Sequence, residues 1–334
     1  MKKTILMIMV CLMTTATNSL AESTYTGKVF LQHKGNITQT FNGDEISNAI
    51  EAAVDGDTLF LSKGLFKSGF TINKSISLIG SGAEAGSNET KSTYLEWSGN
   101  SPQIKADDNK TLSSVTIEGV FSGMGFYVYG NIENVTFKKC YFPNFLDLNS
   151  TIKTAVIDRC RLSYLYLNSS IEDLKVKNCK IQTVSGNRAQ NNSACQFINC
   201  NISQVNTNTK ATFVNSIINQ VGNGTSDFLG TNAMLINTLY HKMNGYDPME
   251  QTPQQDCWST TETLISSYND YKCTKTSEEL KTAGYLGIDD TVVGVEGGVN
   301  PYSLTIHAPS INSKSANIDL TNKKVTINVN VTAN

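Results

Sequence analysis

Along most of this chain apolar and polar residues alternate with a period of two, and the alternating stretches return about every twenty residues. Val115-Thr116-Ile117 is followed by Val135-Thr136-Phe137 and then by Ala155-Val156-Ile157. Three residues after each stretch comes one column, Val120, Cys140, Cys160, Cys179, Cys200, Ser216 and Thr238, with steps of 20, 20, 19, 21, 16 and 22. A period of two is that of a half-buried strand, and a spacing near twenty is shorter than that of the common helical repeats. Ile117, Phe137, Ile157, Val176, Phe197, Phe213 and Leu235 form one inward column, and Val115, Val135, Ala155, Leu174, Cys195, Ala211 and Ala233 form a second. A strand that recurs every turn with the same facing buries its apolar side only by stacking on its neighbours, at about 4.8 Å per rung. Crossovers between parallel strands are right-handed. The pattern therefore predicts an all-β, right-handed single-stranded parallel β-helix.

The residue before the cysteine column reads Gly119, Lys139, Arg159, Asn178, Asn199, Asn215 and Asn237. Asparagine tolerates a left-handed backbone, and four in succession predict side-chain amides bonded to one another along the solenoid axis. Ile46, Ala49, Ile50 and Ala53 share a helical face, opened by Asp44 and closed by Asp55-Gly56. This helix is expected to cover the open N-terminal end, where unpaired strand edges invite association. A second short helix is predicted from Ser277 to Thr282, with Gly284 as its stop. Near the C-terminus Ile318-Asp319-Leu320 and Val325 to Val329 alternate around Thr321-Asn322, which predicts a hairpin. The expected organisation is a signal peptide at 1–21, a β-helix domain at 22–287 with a loop-rich stretch at 242–276, and a C-terminal β-rich capping segment at 288–334.

The opening Ile46 to Ala53, Gly56 to Leu61 and Ile76 to Gly82 resembles that of pectin-lyase-like β-helix proteins. Gly294-Val295-Glu296-Gly297-Gly298 with Pro301-Tyr302 resembles the close of exported bacterial members of that superfamily. The resemblance implies the fold far more narrowly than the activity, since this fold hosts lyases, hydrolases, esterases and adhesins.

Composition narrows the partners. Net charge is −2, with Lys and Arg scattered, so no basic stripe marks a nucleic-acid or anionic-lipid surface. Lys2-Lys3, the apolar run Ile5 to Met13 and Ser19-Leu20-Ala21 predict a cleaved signal peptide and export to the periplasm or cell surface. The run is too short for a membrane span, and Cys11 lacks the small residues that lipoprotein processing needs before its cysteine. The expected state is monomeric.

In an oxidising compartment thiols usually pair. The ladder cysteines and Cys195 are instead expected to be buried small apolar residues. Cys257 and Cys273, outside the rungs, are expected to form a disulfide.

For chemistry, the clearest exposed pattern is Phe145, Asp147, Tyr164 and Tyr166. They are outward because Leu146, Leu148, Leu165 and Leu167 take the inward positions, and Phe126 is expected to extend the column. Such aromatics make a platform for sugar rings, and Asp147 can bind hydroxyls. The alternative is that a loop covers them. Glu118, Lys138, Asp158 and Lys177 alternate in sign and are expected to be cross-strand stabilisers. A polysaccharide lyase needs carboxylates around Ca²⁺ and an arginine base, whereas the chain has only Arg159, Arg161 and Arg188, and Asp107-Asp108 is expected to be solvated loop charge. Ca²⁺ is thus conceivable but has no specific motif, and no metal-ligand set is assigned. Gly224 to Gly230, then Asn232-Ala233, resembles the pectin methylesterase segment carrying the nucleophilic aspartate, which makes Asp227 the candidate nucleophile. No Gln-Asp-Thr-Leu motif precedes it and no arginine follows Arg188. His33, His241 and His307 have no adjacent nucleophile, so a triad is unsupported. The reading that best fits is an exported β-helix that recognises extracellular or dietary polysaccharide without an assembled catalytic site. The alternatives are a polysaccharide lyase, hydrolase or esterase, and a structural or adhesive surface protein.

Overall fold

The computed structural model describes residues 24–83, 92–96, 99–167, 171–185, 194–206, 210–222, 229, 232–242, 246–266, 270–306, 310–319 and 324–332, the last two stretches as backbone. The predicted signal peptide, Asp227, Arg188 and His307 lie outside them. The chain is a parallel β-solenoid of about eight turns with a short helix near its N-terminus.

Each full turn contributes to three parallel sheets. The first runs through Thr58–Leu61, Ser77–Ile79, Thr111–Glu118, Ile171–Lys177 and Ala194–Ile198 to Gln254–Gln255. Its inward column, Leu59, Leu78, Ile117, Phe137, Ile157, Val176, Phe197, Phe213 and Leu235, is registered residue on residue and fully buried. The twenty-residue period is therefore one circuit of the coil. On the outward side Lys138 lies between Glu118 and Asp158, and Asp158 beside Lys177, with Lys138 Nζ 3.2 Å from Glu118. Lys138 and Glu118 pair across strands as expected, whereas Asp158 is held by its neighbour Arg159 at 2.6 Å.

At the corner leading to the second sheet, which runs from Gly64–Phe66, Thr93–Leu95 and Val120–Ser122 through the first halves of Arg161–Leu167, Lys180–Ser185 and Asn201–Val205 to Leu239–His241 and Trp258–Thr260, every rung from Gly119 to Asp256 turns on a left-handed residue. Gly119, Lys139, Arg159, Asn178, Asn199, Asn215, Asn237 and Asp256 have φ between +45° and +66°. From Gly119 to Asn237 their N–H groups donate to the carbonyl of the next rung, as Asn178 N does to Ile198 O at 2.9 Å. The following residue then turns inward and bonds the carbonyl two residues back. Cys179 Sγ donates to Lys177 O, Ser216 Oγ to Val214 O and Thr238 Oγ1 to Ile236 O. Cys257 Sγ does the same to Gln255 O.

Cys257 is thus the next member of the ladder. The expected Cys257–Cys273 disulfide does not form, and both are free thiols. The reason is positional: Cys257 packs against the solenoid core, whereas Cys273 packs against the separate cluster that holds Leu264, Ile265 and Leu280.

The asparagines also behave differently from expectation. Their side chains meet a strap, 285–306, that runs back along the coil. Asn237 Nδ2 donates to Leu286 O, Asn215 Oδ1 accepts from Ile288 N and Asn178 Nδ2 donates to Gly297 O. Further on, Lys139 Nζ donates to Thr305 O at 2.7 Å. The glycines of the strap allow this approach: a Cβ on Gly298, where φ is +79°, would stand 2.2 Å from Asn199 Nδ2.

At the N-terminal end the helix Ile46–Ala52 buries Ile46, Ala49 and Ile50 on the coil, and Lys74 Nζ ties down its last carbonyls, Ile50 O, Glu51 O and Ala53 O, at 2.6–3.0 Å. The helix Ser277–Thr282 is capped by Thr276, which accepts from Glu279 N, and ends at Gly284 with φ +76°. Ser310–Asp319 and Lys324–Thr332 pair antiparallel as the predicted hairpin.

Candidate functional site

The third sheet is assembled from Thr71–Ile72, Gln103–Lys105, Phe126–Lys138 and the middle of Tyr141–Asp158, then from the later halves of Arg161–Leu167, Lys180–Ser185 and Asn201–Val205. Inward, Val128, Leu148, Leu167 and Ile104 are buried. Outward, alternation puts Tyr127 and Tyr129 on one rung, Phe145 and Asp147 on the next, and Tyr164 and Tyr166 on the third. Tyr164 is 37 % exposed and the other five are half-buried.

Phe126 does not belong to this column. It registers with Leu146, is fully buried, and stacks edge-on against Phe137 at 5.5 Å. The facing expected for it fails because the corner at 143–144 carries one residue more than the corner at Ser163. Counting back nineteen from Phe145 then lands one position off, and a one-residue slip reverses every side chain. Tyr127 and Tyr129 are the residues that count missed. Their signal was present, since of Phe126-Tyr127-Val128-Tyr129 the two phenols are the ones whose hydroxyls favour water.

The five rings form a continuous stripe. Tyr127 stacks with Tyr129 at 5.3 Å and tilts against Phe145 at 4.8 Å, Phe145 meets Tyr166 at 6.1 Å, and Tyr166 stacks with Tyr164 at 5.8 Å. Phe145 lies over Gly125, where a Cβ would come within 2.0 Å of its ring. Burial, followed by the neighbouring phenol and the charge of Asp147, holds the Tyr129 and Tyr166 hydroxyls above their ordinary pKa.

Beyond the stripe the same face opens into a groove of about 300 Å³, lined by Tyr164, Tyr166, Gln182, Thr183, Ser185, Gln204 and Asn206. Asn206 Nδ2 donates to Ser185 Oγ at 3.0 Å, and Gln204 Nε2 to Gly222 O at 2.9 Å. Gln182 Oε1 accepts from Tyr271 Oη at 2.9 Å, which fixes the amide from behind.

The groove borders a buried polar cluster on the second sheet. Arg161 and Lys180 are adjacent in register and share Asp270 at 3.3 and 3.2 Å. Arg161 also lies 4.5 Å from the Tyr141 ring centre, and Lys180 lies 4.6 Å from that of Tyr302. Cation–π contacts of this kind offset part of the cost of burying two like charges beside one half-exposed carboxylate.

Comparison with known proteins finds no matching family model, curated protein or solved structure.

The remaining candidates do not converge on the groove. Asp107 bonds Lys110 at 2.9 Å in an exposed turn, and that ammonium holds its carboxyl below the ordinary value. His33 Nδ1 sits 2.6 Å from Asp57, and His241 Nδ1 sits 3.1 Å from Asn219 O. Among the described residues no three His, Cys, Asp or Glu side chains gather as a metal site would require, and no helix is long and apolar enough to cross a membrane. In register with the stripe and groove, Asp147 is the one carboxylate among the described residues. Hydrolysis by paired carboxylates needs two. What the arrangement does supply is flat aromatic surface beside hydroxyl and amide groups.

Proposed function

We propose that this chain is an exported solenoid of the pectin-lyase-like kind that recognises an extracellular glycan without transforming it. The observation that carries the reading is the aromatic stripe, Tyr127, Tyr129, Phe145, Tyr164 and Tyr166, running without interruption into the polar groove. Sugar rings present C–H faces that stack on aromatic rings and hydroxyls that bond to neutral polar side chains. Export is supported by the sequence 1–21, and the superfamily by the period of the coil and by the motifs at its two ends.

A glycan array probed with the purified full chain tests this. Retention of at least one polysaccharide is expected, with Tyr127→Ala and Tyr164→Ala each lowering affinity about tenfold while circular dichroism stays unchanged. Binding that persists in the double variant sinks the platform. Release of reducing ends or unsaturated products from the retained polymer would make the site an enzyme's.

A further inference from the structure

Ser163 and Gln182 stand at the same corner of successive rungs, between the register pairs Leu162 with Ile181 and Tyr164 with Thr183. The Tyr271 hydroxyl meets both, 3.0 Å from Ser163 Oγ and 2.9 Å from Gln182 Oε1. Tyr271 lies 89 residues beyond Gln182 in the chain and has a left-handed backbone, with φ +48°, a region that aromatic residues rarely adopt. Its neighbours hold it there. Asp270 pairs with Arg161 and Lys180, the Tyr271 ring lies 5.5 Å from the Arg161 guanidinium, and Ser266 N donates to Lys272 O at 3.0 Å. A strained backbone fixed by its surroundings marks a position where the placing of the side chain matters.

The direction of these hydrogen bonds follows from the hydrogens available. Ser163 and Tyr271 are buried, and among the described residues the Ser163 hydroxyl bonds Tyr271 alone. Its hydrogen therefore goes to Tyr271 Oη, and the Tyr271 hydrogen goes to Gln182 Oε1. The reverse order, with the Gln182 amide turned round, would leave the buried Ser163 hydrogen without an acceptor. Gln182 Nε2 is thus turned away from Tyr271, and Gln182 lines the groove beside Tyr164 and Thr183.

We propose that Gln182 is a fixed hydrogen-bond donor of the groove, selecting a sugar oxygen placed to accept from it, and that Tyr271 is the positioning residue that sets its orientation. This role rests on the glycan reading of the same site. A hydroxyl such as that of Ser185 rotates and serves as donor or acceptor to whichever oxygen lies near, whereas an amide locked at its oxygen offers only N–H. A ligand oxygen there is bound in one polarity, and an epimer that carries its hydroxyl elsewhere loses the bond.

Affinity electrophoresis of the purified full chain, in gels containing dextran, mannan, xyloglucan, polygalacturonate or alginate, tests this. With the polymer that most retards the wild-type chain, Tyr271→Phe and Gln182→Met are each expected to lower affinity about fivefold. The double variant should lose no more than either alone, because both remove the same bond. Tyr127→Ala, three rungs from Gln182, should instead multiply with Tyr271→Phe. A purely structural role for Tyr271 would move the urea midpoint and leave the losses from Tyr271→Phe and Gln182→Met multiplicative. Should Tyr271→Phe fail to fold, Ser163→Ala, which frees the amide to turn, is expected to lower affinity and to show the same non-additivity with Gln182→Met. Tyr271→Phe or Gln182→Met leaving affinity unchanged, or losses that multiply in the double variant, would overturn these roles while recognition through the aromatic stripe stands. Retardation by no polymer at all removes the glycan reading and these roles with it.

Discussion

The left-handed residue and the side chain that follows it make up the smallest unit of this structure. The backbone bend is satisfied by the next rung, so the following side chain must find its own acceptor, and a thiol or hydroxyl reaches the carbonyl two residues back. That explains why cysteine, serine and threonine share one column. The five thiols of the coil interior are closed to solvent, and burial pushes Cys140 and Cys179 well above the ordinary thiol range and Cys195 up to about 12. A thiol reacts as its thiolate. Labelling of the native chain with a disulfide reagent at pH 8 is therefore expected to reach the half-buried Cys257 and Cys273 before Cys140, Cys160, Cys179, Cys195 and Cys200, which react only on unfolding. The same shifts act on stability. The unfolded chain ionises Cys140, Cys179 and Cys195 from about pH 8.5 upward, while burial in the folded chain keeps these three protonated. The stabilisation from these groups is complete below that pH and is lost as pH climbs towards 12, which alkaline denaturation curves would show as a falling midpoint.

Among the elements, the strap depends on glycine as much as the rungs depend on asparagine. Gly298→Ala places a Cβ 2.2 Å from Asn199 Nδ2 at a φ of +79°, whereas Gly35→Ala, at a φ of +85°, meets nothing within 4 Å. Both bear the left-handed penalty of about 1 kcal/mol, but the strap variant is expected to lose about 2 kcal/mol more through overpacking, measured by urea unfolding. How much was legible in the sequence follows the same division. The period, both inward columns, the terminal hairpin and the stop at Gly284 follow from local patterning, and the structure bears them out. Three readings needed what no local pattern holds. The facing of Phe126 depended on the length of one corner, the partner of the asparagines on a segment 49 to 119 residues away, and Cys257 on an irregular turn that hid its place in the ladder. Of the site, Phe145, Asp147, Tyr164 and Tyr166 were legible from alternation. The groove was not, because Gln182, Ser185 and Asn206 are ordinary polar residues until register aligns them.

For the whole molecule, the strap alters what kind of object the solenoid is. A stack of turns touching only their neighbours behaves as a one-dimensional array, free to fray from either end and to populate partly melted forms. Here the segment that leaves the last turns at Leu286 comes back to Lys139 through Thr305, and Ile306 lies beside Gly119. Late rungs are thereby joined to early ones, and the line of repeats is closed into a loop. Loosening the final turn then means giving up contacts at the start of the coil as well. Circular dichroism and tyrosine fluorescence are expected to report one coincident transition in urea, and truncation before residue 285 should separate it into several. A repeat protein built in this way unfolds as a single domain.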